Sequence, residues 1–375
     1  MARYGFRVYS VQAWRGSKHK GVEPEQVNVG SDTASHIADV LNLLSLEGAL
    51  FIPIRQRRPD PTAAEPRPLT LSILDVVERP GFIGLVLQSG QVGAHPRAIN
   101  EKSEIIPLSD WAAESEFRLG FYFSKAESSD PRFLITTEVI GNHDPVALLL
   151  RCVRARSIIE QRALEETEKA WREQNGRRPA GQKPTFWHVS FDKRQAADSA
   201  YLQAIITEAK SATAKFWDTV SSSRGPGHEV VRKVLRVRLD VHEEGLGLAG
   251  RFAQMWTTRQ RADEPVPMSE AVSALGAEMA DIGLLVEHEI DDYEATSVEV
   301  VGKEARATFA ADNIREVFTY PVKKDLRPHT ATLWDRINQR LPLIALEEGI
   351  ELELMDPVEV EQWLVDSTFD RSSMA

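Results

Sequence analysis

Cationic and aromatic side chains between residues 175 and 195 are the part of this 375-residue chain best suited to chemistry with another molecule. The cations and the ring that we single out there are Arg177, Arg178, Lys183, Trp187, Lys193 and Arg194. Such cations neutralise nucleic-acid phosphates and release counterions, while an exposed indole can stack on a base or wedge into a groove. The loop therefore predicts contact with a DNA backbone, with Trp187 as the stacking or wedging side chain.

Further cations extend this predicted DNA-binding surface on both sides of the loop. Arg151 and Arg154 are three residues apart and so share one face of a predicted helix. Arg236 and Arg238 are two residues apart and so lie on one side of a predicted strand. The remaining members are Arg232 and Lys233, just before that pair, and Lys18, Lys20, Arg55, Arg57 and Arg58 in loops nearer the N-terminus.

The distribution of charge along the chain favours this prediction, although the total does not. The chain carries 45 Lys and Arg against 56 Asp and Glu, and its net charge of −11 would ordinarily argue against a nucleic-acid partner. Residues 151–240 have a net charge of +7, between −3 for residues 1–150 and −15 for residues 241–375. In the alternative interpretation the aromatic rings are core and the arginines pair with the acidic C-terminal region, which would then cover the basic middle and inhibit binding.

Motifs for catalysis or cofactor binding are weak. Residues 245–250 match G-x-G-x-x-G after a predicted strand, but Glu243 and Glu244 precede the turn and would repel a pyrophosphate. The nine histidines are scattered without the spacing of zinc ligands, and the acidic stretch 287–294 lacks the glycine and spacing of a calcium loop. The sequence has no Walker loop or nucleophile elbow. We therefore expect no enzymatic activity, no cofactor and no metal.

Hydrophobic periodicity and turn residues predict how the chain is organised. Strands and amphipathic helices recur in its first and last parts, whereas polar helices dominate the middle. The predicted fold class is α+β, with two mixed α/β domains and a polar helical segment between them. The predicted divisions are residues 1–156 (N-terminal α/β domain), 157–227 (basic helical segment with the loop at 175–195) and 228–375 (acidic C-terminal α/β domain).

Some individual elements bear directly on the predicted surface. Residues 4–11 alternate like a strand, and Asp144 followed by Pro145 predicts the start of an apolar helix. The sequence also predicts a helix over residues 196–220, a basic strand over 229–241, a strand over 350–354 and a terminal helix over 358–365.

The cellular compartment is predicted from cysteine usage and hydropathy. Cys152, the only cysteine, lies in the apolar run 146–153 and should be a buried, inert thiol, as expected in a reducing compartment. No window approaches 18 uncharged apolar residues, and the N-terminal residues 1–16 lack the apolar core of a signal peptide. We expect a soluble cytoplasmic protein without direct membrane insertion.

Residues 133–150 resemble a segment of the RexA-like phage-exclusion proteins and, more distantly, of KwaB-type antiphage proteins. The resemblance consists of a strand bearing an acidic residue, Glu138, a turn at Gly141 and a helix after Pro145. Residues 296–322, two or three strands with a charged turn ahead of a long helix, are also similar, as is the order of elements. The resemblance implies a non-enzymatic, homodimeric DNA-binding sensor of infection that signals to a separate effector, a membrane channel in the Rex case.

Three functions from different classes follow. The leading hypothesis is a bacterial or prophage-encoded defence protein, acting in abortive infection, that binds duplex DNA mainly through the phosphate backbone. The alternative is an interaction module whose acidic C-terminal domain docks a basic protein partner, without nucleic acid. The third is a nucleotide-dependent enzyme that uses the glycines of residues 245–250.

Overall fold

The computed structural model describes residues 4–16, 25–26, 31–53, 68–92, 97–99, 105–107, 112–124, 132–141, 143–176, 186–196, 198, 201, 209–221, 229–239, 295–302, 306–310, 319–323 and 327–369. The chain divides into two compact units. We call Met1–Ala196 together with Tyr320–Ala375 the larger unit, and Ala197–Thr319 the smaller unit.

The described residues form fifteen strands and four helices. The strands are β1 (Tyr4–Arg15), β2 (Glu25–Gln26), β3 (Leu50–Ile52), β4 (Leu69–Arg79), β5 (Phe82–Val92), β6 (Arg97–Ile99), β7 (Ile105–Pro107), β8 (Ala112–Phe123), β9 (Arg132–Ile140), β10 (Val189–Gln195), β11 (Ala209–Ser221), β12 (Glu229–Leu239), β13 (Ala295–Gly302), β14 (Arg306–Ala310) and β15 (Tyr320–Lys323). The helices are α1 (Ser31–Glu47), α2 (Val146–Asn175), α3 (Thr330–Glu348) and α4 (Pro357–Phe369).

A nine-stranded antiparallel sheet is the centre of the larger unit. Its strands follow the order β10-β1-β9-β8-β5-β4-β3, and β2 and β15 also pair with β1. At 12 residues, β1 is long enough to take several partners along its edges. Residues 4–12 pair with β9, and residues 9–15 pair with β10.

Helices cover both faces of this sheet, because side chains alternate along its strands. On one face, Tyr9, Val11 and Ala13 of β1 belong to a buried core that also contains residues of α1 and α2. On the other face, α3 and α4 contact β1, β4, β5 and β9, and the ring of Trp363 in α4 lies 6.5 Å from that of Phe82. The larger unit therefore has three layers, with the sheet in the middle.

The described strands of the smaller unit form a four-stranded antiparallel sheet in the order β12-β11-β13-β14. Along β11, the buried Ala214 and Phe216 alternate with the half-buried Thr213 and Lys215. One face of this sheet is therefore apolar and the other polar, as is usual for antiparallel sheets.

The combination of helices and antiparallel strands confirms the α+β class. The predicted strand at residues 4–11 is confirmed as part of β1, and the predicted basic strand as β12. The predicted start of α2 is also confirmed, since the helix begins at Val146, directly after Asp144 and Pro145. Among the described helices, none is both long and apolar enough to cross a membrane.

The helix predicted over residues 196–220 is wrong from residue 209 onward, because residues 209–221 form β11. Three alanines in this stretch favour a helix by propensity. The alternation of Ala214 and Phe216 with polar neighbours instead suits a strand with one buried face, and tertiary packing overrides propensity.

The predicted domain boundaries also differ from the structure. Residue 156 lies inside α2, which continues as one helix to Asn175, and the boundary at 227 separates β11 from β12, which pair with each other. The strand predicted over residues 350–354 is wrong, because these residues form an irregular link between α3 and α4. Both helices belong to the larger unit, since their apolar sides pack on its sheet.

Candidate nucleic-acid interface

Two basic side chains face each other on the polar side of the smaller unit's sheet. Lys215 of β11 lies directly opposite Arg236 of β12, and Thr213 lies directly opposite Arg238. Arg236 is exposed and Lys215 is half-buried, whereas Ala214 and Phe216, on the other face, are fully buried. We call the positions of Lys215, Arg236 and Arg238 the basic sheet face.

The register brings like charges close together on the basic sheet face. Residues directly opposite each other on paired strands have Cβ atoms about 5 Å apart, and like charges there destabilise the sheet. Arg238 lies two residues, or about 6.8 Å, along β12 from Arg236 and occupies the same face.

A bulge lies beside this face on the same strand pair. The register of β11 and β12 shifts between Asp218, which is opposite Lys233, and Thr219, which is opposite Val231. Arg232 is therefore the extra residue of β12. Bulges twist the local strand and re-aim side chains, and they occur often at functional sites.

The basic character of these two strands contrasts with the rest of the smaller unit. Residues 197–319 contain 13 basic and 21 acidic side chains. Strands β11 and β12 hold six of those basic side chains and only two of the acidic ones. Positive charge in this unit is thus concentrated on one pair of neighbouring strands.

The predicted stacking residue, Trp187, is packed within the larger unit. Its side chain is half-buried and contacts the core between the sheet, α1 and α2. The His36 ring lies 4.6 Å from its ring, and the guanidinium of Arg15 lies 5.0 Å from the ring centroid. His36 Nε2 and Ser157 Oγ are hydrogen-bonded at 2.9 Å, which joins α1 to α2 beside the indole.

The loop predicted over residues 175–195 is wrong over residues 189–195, which form β10, and two of its predicted cations have partners within the larger unit. Arg194 Nη2 lies 2.7 Å from Oε2 of Glu348, whose side chain is buried near the end of α3. Lys193 Nζ lies 4.5 Å from the centroid of the Tyr9 ring. The contact of Arg194 with Glu348 is the kind of pairing with the acidic C-terminal region that the alternative interpretation of the charge pattern predicts.

The predicted helix pair Arg151 and Arg154 is exposed on α2. Partial burial lowers the pKa of His188, and the positive charge of the neighbouring Arg154 lowers it further. His188 Nδ1 is hydrogen-bonded to Gln161 Oε1 at 2.6 Å. The two arginines therefore remain at the solvent surface, and one of them lies beside a histidine whose pKa is lowered.

The structure describes only some of the remaining predicted positions. Arg232, Lys233 and Arg238 are located by their backbone positions in β12. The segments 245–250 and 287–294 lie outside the described residues, as do Lys18, Lys20, Arg55, Arg57, Arg58, Arg177, Arg178 and Lys183.

Two arginines and two glutamates form an ion cluster around the buried Glu138, and the sequence predicted no role for this cluster. Glu138 of β9 is 0% exposed, and Arg118 Nη2 and Arg327 Nη2 each lie 2.8 Å from one of its carboxylate oxygens. Arg118 also donates to Thr330 Oγ1 at 3.0 Å, and Arg327 to Glu116 Oε1 at 2.8 Å. The cluster therefore fastens the start of α3 to the sheet.

The charge state of Glu138 follows from these contacts. Burial by itself would raise the pKa of its carboxyl, but hydrogen bonds from Arg327 and Arg118 and their positive charges outweigh burial, so the pKa lies below the ordinary value. The carboxylate is ionised and fully engaged, which suits a structural role and not proton transfer. A single glutamate within the apolar run of β9 was the signal for such a site in the sequence.

Cys152 is buried, as predicted. Burial raises the pKa of the thiol to about 11. The positive charge of Arg151 opposes this shift, and the negative charge of Glu47 adds to it. Since the thiolate is the nucleophile, such a thiol is chemically inert.

No family model, curated protein or solved structure matches this chain.

Proposed function

We propose that this protein binds double-stranded DNA through backbone phosphates, and that the basic sheet face is a main contact. The concentration of cations on β11 and β12 carries the proposal, because these two strands hold six of the 13 basic side chains of residues 197–319 and only two of the 21 acidic ones. On this strand pair Lys215 lies opposite Arg236, whose side chain is exposed. Cations grouped in this way attract a row of phosphates.

The chemistry of the side chains favours the backbone over the base edges. Arginine and lysine are the main phosphate contacts in protein–DNA complexes, and such contacts position the protein without reading sequence. Each neutralised phosphate releases counterions, so the affinity should fall steeply as salt concentration rises. The proposed binding is therefore sensitive to salt and largely independent of sequence.

Cations of the larger unit divide into two groups with respect to this proposal. Arg151 and Arg154 are exposed on α2 and can add contacts. Arg194 and Lys193 already contact Glu348 and Tyr9, so we expect a smaller contribution from them. The cations of the loop at 175–195, Arg177, Arg178 and Lys183, stay in the proposal as predictions from the sequence.

The test is fluorescence anisotropy of labelled DNA duplexes of unrelated sequence, titrated with the protein at several salt concentrations. The double variant Lys215→Gln/Arg236→Gln should bind every duplex more weakly. The slope of log affinity against log salt should fall by about 1 for each cation removed, or about 2 in total.

A matched control removes the same charge elsewhere. Arg162 and Lys169 are exposed on α2 and are not part of the proposed interface. The variant Arg162→Gln/Lys169→Gln should keep the affinity and slope of the parent protein. An equal loss in both double variants would mean that overall charge, and not the basic sheet face, determines binding. A parent protein that binds no duplex at low salt would overturn the proposal.

We propose further that this binding serves antiphage defence, as the resemblance of residues 133–150 to RexA-like proteins implies. In this role a homodimer would sense phage DNA or a DNA–protein complex and signal to a separate membrane effector. The test is the plating efficiency of a phage panel on bacteria that carry the gene with its genomic neighbours. Protection should be lost in the Lys215→Gln/Arg236→Gln variant and kept in the matched control. Equal plating with and without the genes would contradict this role.

A further inference from the structure

Strands β10 and β15 lie one after the other along the same edge of β1. Gln195 of β10 is opposite Tyr9, and the N–H of the next residue, Ala196, donates to the carbonyl of Val8 at 3.0 Å. Tyr320 of β15 is opposite Phe6. Both strands run antiparallel to β1, so they run parallel to each other and in line, with only the position opposite Arg7 between them.

The chain thus leaves the larger unit at Ala196 and returns at Tyr320, only one strand position further along. Were residues 197–319 absent, β10 and β15 would read as one continuous edge strand. A long segment that leaves and re-enters a sheet at neighbouring positions is the geometry of a domain inserted into a host domain.

The two ends of the intervening segment also meet within the smaller unit. The hydroxyl of Tyr201 is 3.5 Å from the carbonyl oxygen of Thr319, to which it donates. The N–H of Tyr201 donates to Asp198 Oδ1 at 2.8 Å, which fixes the turn by which the chain enters the unit. The segment therefore brings its own ends together, independently of the sheet from which it leaves.

The larger unit holds its two parts together without the intervening segment. The ion pairs of Glu138 with Arg327 and of Arg194 with Glu348 join residues before Ala196 to residues after Tyr320. The stacked rings of Phe6 and Tyr320, with centroids 4.7 Å apart, do the same at the edge strand.

We infer that residues 197–319 are a self-contained module inserted into a single edge strand of the larger unit, and that this module carries the main DNA contact. The first part stands on the strand geometry alone. The second part rests on the proposed function, because the basic sheet face lies within these residues. DNA binding and the folding of the larger unit are then separable properties.

The test is a shortened chain in which residues 197–319 are replaced by one glycine, with a three-glycine version to allow for local strain. We expect both shortened chains to fold, with a near-ultraviolet circular dichroism spectrum and one cooperative thermal transition. That transition should coincide with one of two transitions in the full-length chain. A failure of both versions to fold would overturn the inserted-module inference.

A measurement on the full-length chain tests the same inference without shortening it. Hydrogen exchange followed by mass spectrometry reports protection separately in β1, β8 and β9 and in β11 and β12. The variant Glu138→Gln should lower protection in the first group and leave the second unchanged. A parallel loss in both groups would show that the units unfold together and would overturn the inference.

Binding experiments separate the two parts of the inference. The folded shortened chain should lose most of the salt-dependent affinity of the full-length chain for a DNA duplex. If it binds as tightly as the full-length chain, the assignment of DNA contact to the module is wrong. If the full-length chain itself binds no duplex, the proposed function is wrong, whereas a folded shortened chain still establishes the insertion.

Discussion

Basic side chains are used in opposite ways in the two units. In the larger unit, Arg194 contacts the buried carboxylate of Glu348, and Arg156 contacts Glu47 at the end of α1. In the smaller unit, Lys215 is opposite another cation, Arg236, on the polar side of a sheet. The cations of the larger unit fasten helices to its sheet, whereas those of the smaller unit are the ones that we propose contact DNA.

The net charge of +7 in residues 151–240 does not belong to one surface. This segment spans both units, since residues 151–196 belong to the larger one and residues 197–240 to the smaller one. Cations that are near each other in the sequence therefore belong to different units. The following predictions separate the two uses of charge.

The largest effect is expected from Glu138→Gln. Loss of Glu138 leaves the buried Arg118 without a carboxylate partner and Arg327 with Glu116 alone, and should lower the free energy of unfolding of the larger unit by about 3–5 kcal/mol. Urea denaturation measures this loss. The control is Glu116→Gln, which removes a half-exposed partner of Arg327 and should cost about 1 kcal/mol or less. Equal losses in the two variants would contradict a special role for Glu138.

The same carboxylate should make stability depend on acid pH. The pKa of Glu138 is lower in the folded protein than its ordinary value of 4.5, so its ionised form contributes stability above that value. This contribution should disappear as the pH falls from 4.5 through the folded-state pKa. Urea denaturation between pH 3 and about pH 7 should show a steeper acid loss in the parent protein than in Glu138→Gln. Parallel curves would contradict the assignment.

An intermediate effect is expected from Arg194→Met. Glu348 would lose its 2.7 Å contact while its side chain stays buried, which should lower the free energy of unfolding by about 1–3 kcal/mol. The double variant Arg194→Met/Glu348→Met leaves no unpaired buried charge and should recover much of this loss. The salt dependence of DNA binding should stay unchanged in both. A slope lowered by about 1 would place Arg194 at the DNA instead.

The smallest effect on stability is expected from Lys215→Gln. Lys215 lies opposite another cation but also has a partner of its own, so the free energy of unfolding of the smaller unit should change by no more than about 0.5 kcal/mol, while DNA binding weakens. Thermal unfolding and anisotropy measure the two changes on the same sample. A loss of both stability and affinity would show that Lys215 has a structural role.

The sequence predicts those elements in which one periodicity dominates. The alternation in β1, the Asp144–Pro145 start of α2 and the basic alternation in β12 each depend on local rules, and all three are present in the structure. The failure over residues 209–221 has a physical cause. Small alanines fit either element, and only the burial of Phe216 and Ala214 against other strands favours the strand.

The candidate site was predictable in its charges but not in its pairings. Arg236 and Arg238 could be placed on one side of a strand from their spacing, whereas the position of Lys215 opposite Arg236 depends on a strand register that no local pattern specifies. The contact of Arg194 with Glu348 joins residues 154 positions apart, and that of Arg327 with Glu138 joins residues 189 apart. Such long-range ion pairs depend on topology, which composition does not reveal.

Strand β1 pairs with four other strands, and their positions in the sequence determine the order in which these pairings can form during folding. Its partner β9 is about 130 residues away along the chain, β10 about 180, and β15 more than 300. Contacts with large sequence separation form slowly, because a long loop must close before they contribute. During synthesis, the edge of β1 at residues 4–6 therefore stays open until residues 320–323 have left the ribosome. An unpaired edge of this kind is a template for association with other chains, so nascent chains of this protein should need protection by a chaperone.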